Sequence, residues 1–126
     1  MMTNEKDVKA KVKKILDKHG WFWFMPPANA YGRGGISDFI AIWAGAFMVI
    51  ETKFGSNKPT AMQIGFLNSV RMEKGFAFLV TDKNVDALDE FLESFAIAAA
   101  AQNRGEPVPP EHGSRMLNSI YTLTRY

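Results

Sequence analysis

Val8, Val12, Ile15 and Leu16 recur at the three- and four-residue steps that bring side chains onto one helix face; His19 continues the stripe and Gly20 stops it. A helix over residues 4–19 is predicted. The block Trp21, Phe22, Trp23, Phe24 and Met25 then reads as a strand ended by Pro26 and Pro27, and residues 29–35, with three glycines, read as a loop. Two longer apolar segments, 36–43 and 47–53, each suit one buried strand, and Ala44-Gly45 between them suits a tight hairpin. After a loop at 55–58, Pro59-Thr60 opens a helix over 59–73 that Gly75 terminates. A strand over 76–81 follows, and a helix over 84–101 places Leu88, Phe91, Leu92 and Phe95 at core spacing. The order helix, three strands, helix, strand, helix predicts an α/β domain over 1–101. Residues 102–110 hold three prolines and no periodicity, so they read as a linker. The tail 114–126 carries Met116, Leu117, Ile120, Tyr121 and Leu123, which need burial on the same domain or on a second copy.

Charge inside the two hairpin segments needs a reason, because burying an ionised carboxylate without partners costs several kcal/mol. If Ala44 and Gly45 are the whole loop, Trp43 pairs with Ala46 and Asp38 falls opposite Glu51, with Cβ atoms about 5 Å apart. Lys53 then projects from the same face one step further on, while Thr52 points away. A three-residue loop would slip the register by one and turn Asp38 to the wrong side. In the two-residue register, the carboxylates are placed to grip one divalent ion, as in a metal-dependent nuclease.

Composition narrows the alternatives. The chain has 126 residues, 47% of them hydrophobic and 13% aromatic, which suits one compact domain with a real core. It has no cysteine, which removes disulfides, thiolate zinc sites and cysteine nucleophiles, and its two histidines, His19 and His112, lie far apart. The polar, lysine-rich N-terminus and the lack of any 18-residue apolar run lead to the expectation of a cytoplasmic protein without a membrane span. The net charge of +2 conceals an asymmetry. Residues 1–20 carry six lysines against three acids and residues 21–71 carry Arg33, Lys53, Lys58 and Arg71 against Asp38 and Glu51, whereas residues 72–101 carry two lysines against six acids. The basic part contains the candidate site, which suits a polyanionic substrate.

The residues together resemble the virus-type replication-repair nuclease family (VRR-NUC) of the PD-(D/E)xK nuclease superfamily, in its stand-alone viral and bacterial form. The likeness runs over about residues 4–90: Glu5 on the first helix, Tyr31-Gly32-Arg33-Gly34-Gly35-Ile36-Ser37-Asp38, Ile50-Glu51-Thr52-Lys53, and Lys58-Pro59-Thr60-Ala61-Met62-Gln63. Ser37 stands where the family usually has proline. The resemblance implies a restriction-endonuclease-like core (αβββαβ), a mixed sheet flanked by helices, with a C-terminal helix and tail beyond it. It also implies a magnesium or manganese ion, cleavage of duplex or branched DNA, Holliday junctions among the substrates, and a homodimer serving DNA repair or a phage.

On this reading Asp38, Glu51, Thr52 through its carbonyl, and Glu5 directly or through water are the metal ligands, with Lys53 as the general-base or charge-stabilising lysine. Glu5 read alone is only an acid in a first helical turn; the resemblance moves it to the site. Gln63 lies three residues after Thr60, a capping-box spacing, and equally at the site's edge. Arg33, Lys58, Lys9 and Lys13 are the candidate phosphate contacts, and the glycines of the 32–35 loop would let backbone approach DNA. The aromatics of 21–24 read as core and interface, because a base-stacking platform would have to be exposed together with basic residues. The alternative function is a non-catalytic nucleic-acid-binding or assembly module on a nuclease-like fold. A sequence-specific restriction nuclease comes third.

Overall fold

The computed structural model describes residues 1–27 and 32–126. Tyr31 of the motif and part of the expected 29–35 loop lie outside the described residues. Helix α1 spans Glu5–Lys18, with the Asn4 side chain accepting from the Asp7 backbone N–H and His19 closing the C-terminus. Strands β1 (Phe22–Phe24), β2 (Phe39–Trp43) and β3 (Ala46–Thr52) follow, then α2 (Ala61–Met72), β4 (Phe76–Val80), α3 (Val85–Asn103) and α4 (Pro110–Leu123). The sheet order is β1-β2-β3-β4, antiparallel in its first two pairs and parallel between β3 and β4. The expected mixed sheet flanked by helices is therefore present, with α2 as the crossover between the parallel strands.

Side-chain alternation divides the core into two layers. Phe39, Ala41, Met48, Ile50, Phe78 and Val80 face one way and pack with Val8, Val12, Leu16, Leu88 and Phe91 of α1 and α3. Val49 and Ala77 face the other way onto Leu67 of α2, with Ile40, Phe66 and Val70 around them. Trp21 stacks on Trp43 in the first layer, and Trp23 packs on Phe39 while its indole N–H donates to Asp17. Phe22 and Phe24 project from the opposite face of the edge strand and are 66% and 44% exposed.

The C-terminal segment is more regular than its sequence suggests. Residues 110–123, expected to be the end of a linker and a tail, form α4, which lies against α3 and β4. Leu123 is fully buried, Met116 and Ile120 pack on the core, and Leu117 and Tyr121 stay exposed. The Tyr126 hydroxyl donates to the Ala77 carbonyl, so this segment shields the β4 side of the sheet. No helix among the described residues is long and apolar enough to cross a membrane.

Candidate active site

The hairpin turn sets the site. Ala44 (φ 48°) and Gly45 (φ 84°) are both left-handed, as a two-residue type I′ turn requires, and opposed pairs run from Trp43 with Ala46 to Phe39 with Ile50. The next step of that register puts Asp38 against Glu51, on the α2 face of the sheet. β2 begins at Phe39, three residues later than the apolar run, for a local reason. Asp38 Oδ2 accepts the Thr52 backbone N–H at 2.9 Å, a donor otherwise free for the main-chain ladder, and the Thr52 hydroxyl at 2.6 Å. The Thr52 side chain, expected to point away from the site, therefore aims Asp38 from behind.

Glu51 is only 2% exposed. Its Oε2 accepts from Gln63 Nε2 at 3.2 Å and lies 3.9 Å from Lys53 Nζ, while its buried Oε1 has no hydrogen-bond partner. Burial, and then the negative charge of Asp38, push the Glu51 carboxyl up to about 8 against the pull of Lys53. Gln63 serves both purposes open to it in the sequence: it completes a capping box with Thr60, and its amide reaches Glu51. Gly35 makes that reach possible. A Cβ at Gly35 would stand 2.6 Å from the Met62 backbone, so the loop before Asp38 lies directly on the first turn of α2. Here the glycine serves internal packing, beside any role in admitting DNA.

Glu5, on the first turn of α1, pairs with Lys9 at 3.2 Å, and Lys9 in turn lies 3.7 Å from Asp38. Burial works against the Lys9 charge, but Asp38 and Glu5 outweigh it and hold the ammonium above its ordinary range. Lys9 thus stands inside the carboxylate cluster, whereas the sequence places it on the DNA-contacting flank. The i, i+4 spacing from Glu5 was the signal for this. Lys13 follows one turn along α1 and is partly buried; Arg33 and Lys58 are exposed in the loops before β2 and α2. The structure therefore brings Asp38, Glu51, Lys53 and Gln63 together directly and joins Glu5 to them through Lys9, but it places Arg33 beside the hairpin turn and the C-terminal half of α2, and Lys58 beside Ile64, Thr81 and Tyr126.

The donor set suits a hard divalent cation. Glu51 Oε1 is a buried oxygen with no hydrogen-bond partner, and Asp38 Oδ1, beside it, lies 3.7 Å from Lys9 Nζ. Carboxylate oxygen with no thiolate or imidazole beside it is the ligand chemistry of magnesium and manganese. Among the described residues no group of three acidic, histidine or cysteine side chains is gathered as a ready-made metal cluster. Asp38 and Glu51 would therefore need backbone oxygen or water to complete a coordination shell.

No family model matches the chain, and no curated protein does. Among solved structures, one described as a VRR_NUC domain is 26% identical to the chain, with a TM-score of 0.61, and the match covers 71% of this chain and 97% of that one. The four-stranded mixed sheet with flanking helices is consistent with that nuclease-like fold. The resemblance read from the motif residues is borne out to this extent: the chain is similar in structure to a VRR_NUC domain.

Proposed function

We propose that the protein is a magnesium- or manganese-dependent DNA endonuclease that hydrolyses phosphodiester bonds, selects branched DNA such as a four-way junction, and acts as a homodimer. The observation that carries this reading is the buried Glu51 carboxylate, with its free Oε1, set beside Asp38 and flanked by Lys53 and Gln63 on a nuclease-like fold. Asp38 and Glu51 would hold the ion, with the Thr52 carbonyl and Glu5 as further ligands, Glu5 through water. Held there, a divalent ion would supply Lewis acidity, activating water and offsetting charge on the scissile phosphate.

The chain's own groups divide the remaining work. Lys53, next to Glu51, orients the attacking water and offsets charge on the phosphorus as the water oxygen bonds to it and the P–O ester bond breaks. The products are a phosphate monoester and a free hydroxyl, with no covalent intermediate. Gln63 fixes the Glu51 carboxylate, and Thr52 fixes Asp38. Arg33, Lys58 and Lys13 hold the DNA through its phosphates. The exposed Phe22, Phe24 and Ile42 of the β1–β2 edge are the surface offered for pairing two copies.

Cleavage of a labelled four-way junction, a splayed fork and a plain duplex tests the reading, with wild type and Lys53→Ala in magnesium, manganese or chelator. Metal-dependent cutting that falls at least about a hundredfold in the variant supports it. The ranking of substrates decides junction resolution against general nicking. Binding without cutting in either metal would replace it with the non-catalytic module.

A further inference from the structure

The lysines of α1 do not share one environment. Lys6, Lys11 and Lys14 are exposed, as a solvated basic face would be, whereas Lys9 is drawn inward between two carboxylates from different elements. Its Nζ stands 3.2 Å from Glu5 Oε2 and 3.7 Å from Asp38 Oδ1, and its side chain keeps 29% of its exposure. Asp38 Oδ1 is the oxygen left over once Thr52 has taken Oδ2, so Lys9 sits against the atom most open to a cation. Lys9 thus links Glu5 to Asp38, while Lys53 stands 3.9 Å from Glu51, the carboxylate neighbour of Asp38.

We propose that Lys9 is the built-in counter-ion of the cation site: its ammonium group bridges Glu5 and Asp38 when no divalent ion is bound, and a divalent ion must displace it to reach Asp38. The inference rests on the metal-dependent reading above and adds a residue to it. An ammonium group and a divalent ion compete for the same carboxylate oxygen, so the cost of displacing Lys9 weakens metal affinity. In the metal-free protein, the same ammonium group relieves repulsion between carboxylates that would otherwise face one another unpaired. The partial exposure of Lys9 leaves its flexible stem a route toward solvent once the ion enters.

Calorimetric titration of the metal-free protein with manganese alone, without DNA, tests this in wild type, Lys9→Gln and Lys9→Arg. Lys9→Gln should bind manganese three- to tenfold more tightly than wild type, and Lys9→Arg should return toward the wild-type value. In chelator the thermal midpoint of Lys9→Gln should lie below that of wild type, and saturating manganese should close the gap. An unchanged or weaker manganese affinity in Lys9→Gln overturns the proposal, as does a thermal deficit that manganese leaves intact. If wild type itself takes up no manganese, the metal-dependent reading falls and this inference with it. Uptake by wild type with no difference among the variants overturns the inference about Lys9 alone.

Discussion

Glu51 concentrates the energetic tension of the molecule in one side chain. Its carboxyl normally titrates near 4.5, but burial and Asp38 raise it to about 8 in the folded, metal-free protein. Between those two values the native state keeps a proton that the unfolded chain releases. This contribution to stability is therefore fully present below about pH 4.5 and is lost as the pH rises toward 8. In chelator, thermal midpoints of wild type should decline from pH 5 to pH 8, and Glu51→Gln should flatten this part of the profile. A wild-type profile no steeper than that of Glu51→Gln would show that Glu51 is not the group responsible. On the metal-dependent reading proposed above, manganese would bind the ionised carboxylate and should stabilise wild type more at pH 8 than at pH 5.

At the scale of the elements, two turns among the described residues hold non-glycine residues in the left-handed region. Ala44 (φ 48°) takes the first position of the type I′ hairpin turn, where asparagine is preferred, and Lys74 (φ 71°), exposed just after α2, takes the position where helices usually place glycine. Ala44→Asn and Lys74→Gly should each raise stability by about 0.5 to 1 kcal/mol in denaturant melts. Gly75, read in the sequence as the stop of α2, is needed for a different reason: a Cβ there would meet Val70 Cγ1 at 2.7 Å. Most elements were legible because period and punctuation agreed. Val8 to Leu16 repeat on one helix face, and Ala44-Gly45 fixed a register that brings Asp38 to Glu51. What was not legible depended on tertiary partners. The Thr52 donors shorten β2 by taking up Asp38, and Lys9 turns inward because Asp38 stands across from α1, which no reading of α1 by itself can reveal.

The case of α4 extends that dependence to the whole molecule. Gly113, Ser114, Asn118, Ser119 and Thr122 make residues 110–123 a weak helix by propensity, so packing of one face must supply its stability. That face is Met116, Ile120 and Leu123, which meet the layer formed by α1, α3 and the sheet. Leu123 is fully buried there, within the same cluster as Phe91 and Val80. If α4 belongs to the cooperative unit, Leu123→Ala should cost about 2 to 5 kcal/mol and keep a single unfolding transition, while exposed Leu117→Ala should change stability by less than about 0.5 kcal/mol. If α4 is only a loosely attached appendage, Leu123→Ala would release it in a separate early transition and leave the main one in place. The outcome bears on the two edges of the sheet. α4 and Tyr126 cover the β4 side, whereas β1 displays Phe22 and Phe24. Among the described residues, an α4 that melts with the core leaves β1 as the sheet edge presented for assembly, so sedimentation of Leu123→Ala below its melting point should match wild type, and substitution of Phe22 and Phe24 by serine should shift any dimer toward monomer.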